Sequence, residues 1–112
     1  MDIVNAREAD LTKNPHQVKA SRLYDTEHAQ VVHLTLEPGE SLKKHMTPVD
    51  VFFYVLEGSG IVEVGNDTKE VGPDTLISSP ARIAHNWTNQ SDKPFRALVV
   101  KVPRPTEATK LL

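Results

Sequence analysis

Imidazole is the main chemical resource of this chain. There are five histidines, His16, His28, His33, His45 and His85, and no cysteine. Disulfides, thiolate metal ligands and a cysteine nucleophile are therefore ruled out. A neutral imidazole can ligate a metal or move a proton near pH 7. Two of the five lie in segments built like a site. His45 shares a strand face with Lys43 and Thr47, on the polar approach to the run Val51-Phe52-Phe53-Tyr54-Val55-Leu56. His85 shares a face with Trp87, and an aromatic wall beside an imidazole suits a flat or apolar ligand. The other three read as structural. His16 follows Asn14-Pro15 in a loop and is expected on the surface. His28 belongs to the turn Asp25-Thr26-Glu27-His28. His33 alternates away from Val32, Leu34 and Leu36 and is expected to be held by hydrogen bonds.

Other chemistry is poorly supplied. Ser59, Ser78 and Ser79 lack the neighbouring His/Asp pattern of an activated nucleophile. Gly58-Ser59-Gly60 is too short for a phosphate loop and leads into a hairpin, not a helix. Lys43, on the face of His45, is a candidate rim contact for an anionic ligand.

The elements that must position these groups are strands. Ala29 to Leu36 alternates, with Val32, Leu34 and Leu36 as the core face, and ends at Pro38-Gly39. Ser41 to Thr47 reads as a polar strand. Val51 to Leu56 is apolar on both faces, closed by Glu57-Gly58-Ser59-Gly60. Something must cover its second face, and in a chain without a strong helix a second copy is the expected cover: a homodimer. Ile61 to Val64, Lys69 to Val71, Thr75 to Ser79, His85 to Asn89 and Phe95 to Val102 complete a series of short strands, with a hairpin signal at Gly65-Asn66-Asp67. Ile3-Val4 is a candidate edge strand, and a further strand is placed within 17–24. The tail 106–112 is expected to form one helical turn or stay disordered. Many short strands without a helical period mean a β-sandwich or barrel.

At 112 residues this is one domain, 1–112, with its core at about 29–103 and peripheral ends at 1–20 and 104–112. A net charge of -2 with mixed signs does not suggest nucleic-acid binding or a polybasic membrane tether. The longest apolar run is far short of the ~20 residues of a membrane helix. The N-terminus lacks the basic start and apolar stretch of a secretory signal, so a cytoplasmic protein is expected.

Two stretches together resemble the paired motifs of the cupin superfamily. Gly39 is followed by five residues and His45, and Tyr54-Val55-Leu56-Glu57-Gly58 resembles the close of the first motif. Pro80, His85 and Asn89 match the second, with Arg82 at the usual Gly position. The resemblance covers about 36–100. It implies an all-β fold, a double-stranded β-helix (jelly-roll) barrel that is commonly dimeric. It also implies a metal held by two His and a Glu of the first motif and a His of the second. His45 and His85 carry over. Thr47 stands at the second His position and Val51 at the Glu position.

Two readings of the site follow. In one, the barrel mouth is a metal-free small-molecule pocket, with His45, Thr47 and His85 as polar groups among Phe53, Val55 and Trp87. In the other, His45 and His85 hold one divalent transition-metal ion with Asp50, turned inward by a bulge or a loop entry, in an isomerase, lyase or dioxygenase with an altered ligand set. A buried, satisfied histidine cluster or a partner-binding dimer without small ligand is the third alternative. The lost ligands favour the first.

Overall fold

Alternating apolar residues build the longer of ten strands, and there is no helix, in the computed structural model, which describes residues 1–112. The strands are β1 (Lys19–Asp25), β2 (Gln30–Leu36), β3 (His45–Met46), β4 (Asp50–Glu57), β5 (Gly60–Val64), β6 (Asp67–Val71), β7 (Leu76–Ser79), β8 (His85–Thr88), β9 (Phe95–Val102) and β10 (Lys110–Leu111). They form two five-stranded sheets, β1-β2-β9-β4-β7 and β10-β3-β8-β5-β6. Every pairing is antiparallel. The expected double-stranded β-helix is present. No helix is long and apolar enough to cross a membrane.

The register of the first sheet sorts its inner face into rows. Leu36 and Phe95 form the deepest row, followed by Leu34, Ala97 and Val55. Next come Val32, Val99, Phe53 and Ile77. The last row, Gln30, Lys101, Val51 and Ser79, is mostly polar. The interior thus grades from a dry floor to a polar end. The floor is one cluster that includes Leu36, Val55, Val62, Trp87 and Phe95, each no more than 4% exposed. Burying such side chains contributes about 1.5–3 kcal/mol apiece.

Three expectations fail locally. Ile3-Val4 is exposed and makes no strand. Ser41 to Thr47 is strand only at His45–Met46, with a lone bridge from Ser41 to Thr88. The tail is neither helical nor free: β10 pairs Leu111 with His45 and Lys110 with Met46. A two-residue strand carries no periodic signal, so sequence alone could not show this docking.

The Glu57-to-Gly60 turn is fixed by close approach. Gly58 has φ +77°, and a Cβ there would stand 2.3 Å from the Pro94 carbonyl oxygen. A Cβ on Gly60 would meet the Phe95 ring at 2.8 Å. Arg82, at the usual Gly position of the second motif, also adopts a positive φ of 64°. Gly58→Ala is expected to lower unfolding free energy by on the order of 2–4 kcal/mol. Gly72→Ala, where a Cβ meets nothing within 4 Å, should stay within about 0.5 kcal/mol of wild type. Urea unfolding of both variants measures the difference.

Candidate functional site

β3 and β8 pair at a single position, His45 opposite His85. Both side chains face the interior, 7% and 2% exposed. Their Nε2 atoms are 2.9 Å apart, with the rings nearly perpendicular.

The hydrogen-bond partners fix where the protons are. His45 Nδ1 lies 2.7 Å from the Lys43 carbonyl oxygen. A carbonyl only accepts, so Nδ1 carries the proton and His45 Nε2 presents a lone pair. His85 Nε2 must then donate to it. His85 Nδ1 is left as an acceptor, and the buried Ser79 hydroxyl, 2.7 Å away, donates to it. One directed chain results: Ser79 hydroxyl to His85, His85 to His45, His45 to the Lys43 carbonyl.

A third imidazole joins them. The His16 ring centroid is 4.6 Å from that of His45, and His16 Nδ1 accepts the Lys43 backbone N–H at 2.9 Å. Neutral His16 therefore carries its proton on Nε2. The expected surface residue is part of the site. Its loop is knitted by Asn14, whose amide donates to the Thr12 and Val18 carbonyls and whose Oδ1 accepts from the His16 and Val18 N–H groups. Asn-Pro marks such a turn in sequence, but nothing local says that it folds over the barrel mouth.

All three rings are held neutral. Burial pushes His85 down to about 3, helped by His45, Lys101 and His16. Burial, then His45, Lys43 and Lys101, lowers His16 to about 4. Burial also lowers His45, against the Lys43 hydrogen bond that raises it.

The rings border a cavity of about 200 Å³ whose lining includes Thr47, Val51, Phe53 and Val99. Thr47 and Phe53 thus lie on the cavity wall beside the rings. Trp87, expected there, does not line it: it is fully buried beneath the cavity, edge-to-face with Phe53 and tilted against Phe95. Val55 likewise belongs to the floor. Lys43 contributes its backbone, while its side chain is exposed outside the lining. His33 is hydrogen-bonded as expected, accepting from Arg96 Nε at 3.0 Å.

Asp50 is not brought to the imidazoles. β4 pairs regularly from Asp50 to Val55, so Asp50 and Val51 point to opposite faces. The Asp50 carboxylate accepts the Ala81 N–H at 2.8 Å instead. No group of three or more His, Asp or Glu is placed to hold an ion. Thr47 and Val51 supply no replacement for imidazole and carboxylate, and His16 keeps its proton on Nε2. The donor set does not fit a resident divalent transition metal, which takes three or four such ligands.

Neutral buried imidazoles make stability depend on pH. The unfolded chain takes up protons below pH 6.5, whereas native His85 and His16 resist until about 3 and 4. The unfolded state then binds more protons, so stability falls as pH drops from 6.5 towards 4. His85 contributes at most about 1.4 kcal/mol per pH unit, and half-exposed His16 less. Unfolding of His85→Gln between pH 7 and 4 should show a shallower loss than wild type.

The profile of the family described as Cupin domain matches residues 32–101. The TT1209 protein of Thermus thermophilus superposes with a TM-score of 0.81 at 30% identity, over 94% of this chain and 100% of that one. The polyketide cyclase RemF of Streptomyces resistomycificus follows the same path at TM-score 0.85 and 21% identity, over 100% of this chain and 85% of that one. KdgF of Halomonas sp. gives 0.82 at 16%, over 95% and 96%. The last two bear on the fold alone. A search of curated proteins finds no match. With a barrel of two five-stranded sheets, a histidine from each motif meeting in its interior, and the family profile spanning most of the strands, the chain belongs to the cupin family.

Proposed function

We propose that this cupin is a small-molecule-binding protein whose ligand sits in the barrel cavity, between the apolar walls of Val51, Phe53 and Val99 and the paired imidazoles. The observation that carries this reading is the neutral His45–His85 pair facing a cavity of about 200 Å³. Apolar walls with a few convergent polar groups are the make-up of a small-molecule site. A ligand donor would take the His45 lone pair, and a ligand acceptor would take the His85 N–H. Either group replaces the hydrogen bond between the rings, so a ligand offering both leaves neither imidazole unsatisfied.

The rival reading is a metal-dependent enzyme with a reduced ligand set, favoured by the convergence of the two Nε2 atoms. Metal analysis of protein purified without chelator separates the two. The expected result is no stoichiometric ion. One equivalent, lost in both His45→Ala and His85→Ala, overturns the metal-free reading. The double variant Thr47→His, Val51→Glu places imidazole and carboxylate on the cavity wall. It is expected to gain zinc binding that wild type lacks, and to be stabilised by zinc, because an unliganded buried Glu destabilises it.

A homodimer through the outer face of the first sheet belongs to the same proposal. Register and alternation place Tyr24, Val31, Val100 and Phe52 in one outer row, with Leu98, Tyr54 and Leu76 in the next. Tyr24 and Leu76 are 54% and 56% exposed. Such a face is suited to pairing with its own copy about a two-fold axis. Sizing at micromolar concentration is expected to give a dimer, and Phe52→Lys a monomer. A monomeric wild type removes the claim.

A further inference from the structure

Charge around the cavity is one-sided. Lys13, Arg22 and Lys101 line it, and no Asp or Glu does. Two of these cations have other outlets. Lys13 is exposed at the rim, and exposed Arg22 lies 3.6 Å from the Asp25 carboxylate.

Lys101 is different. On β9 it stands between Gln30 and Val51, in the polar row of the inner face. It is half-buried and takes part in none of the chain's ion pairs. Its one polar contact is the Thr109 hydroxyl, at 3.5 Å. Burial and Arg22 both push its ammonium below the ordinary lysine range. The imidazoles it faces are neutral and offer no counter-charge. A half-buried ammonium without a carboxylate is destabilised until an anion joins it.

We infer that the cavity takes a small monocarboxylate, its carboxylate anchored by Lys101 and its apolar body resting on Phe53 and Val99; this rests on the ligand-binding reading above. Of the three cations only Lys101 is both half-buried and unpaired, and one such charge matches a monoanion, whereas a dianion such as phosphate would have to draw its second partner from the solvated rim. The cavity volume restricts the body to a few carbons or a single ring.

Calorimetric titration of the metal-free full chain with acetate, isobutyrate and benzoate, each beside its amide, tests this. At least one acid is expected to bind, about 10-fold or more tighter than its amide. Lys101→Met is expected to weaken that acid at least about 30-fold, and Lys101→Arg to retain most of the affinity. Lys101→Gln serves the same purpose should Lys101→Met fail to fold. Amides binding as well as acids, or an unchanged Kd in Lys101→Met, overturns the anchor and leaves the cavity reading standing. No binding by any of the acids overturns the monocarboxylate assignment, while the metal analysis judges the cavity reading independently.

Discussion

A single proton between two imidazole nitrogens constrains this molecule more than any other contact. His45 and His85 face each other at 2.9 Å in a space that water barely reaches. Two lone pairs there would repel, and so would two N–H groups. The structure avoids both by fixing each outer nitrogen, His45 on a carbonyl that only accepts and His85 on a hydroxyl that donates. Ser79 belongs to the first sheet and both histidines to the second. The hydrogen-bond chain therefore crosses the core and ties the two sheets at their polar end, opposite the apolar floor.

The ends of the chain complete what the barrel begins. The loop around Asn14 carries His16 to the mouth, and β10 runs beside His45. The Lys43 backbone serves two rings at once, its carbonyl holding His45 and its N–H holding His16. Position and tautomer of both histidines are thus set by backbone groups of one irregular segment, which is why Ser41 to Thr47 is not a regular strand. The N–H and carbonyl of Lys43 are engaged with the site instead of a ladder.

Sequence is most informative here where side-chain period meets a buried face. Val51, Phe53 and Val55 point inward and Phe52, Tyr54 and Leu56 outward, as alternation requires. His45 and His85 can be paired across forty residues only through the family motifs, because no local rule joins them. For Trp87, alternation gives the correct face but the wrong depth. It fixes the side of a sheet, and not the distance from the mouth, which depends on the register with Val62 and the packing of Phe95. His16 and the last residues stay hidden for the opposite reason. They act through loops whose path is set by tertiary contacts, without any repeating pattern. Asp50 reaches the imidazoles only if a bulge turns it inward, and β4 and β9 pair regularly there.

The depth of Trp87 has a spectroscopic consequence. It is the only indole of the chain, fully enclosed, with an Nε1–H that meets no acceptor. Its ring lies against Phe53, which is itself a cavity wall. Fluorescence from this protein therefore has one indole source, emitting from an apolar environment one side chain away from the cavity. The intensity and wavelength of that emission report on how Phe53 sits, and through it on whether the cavity is filled.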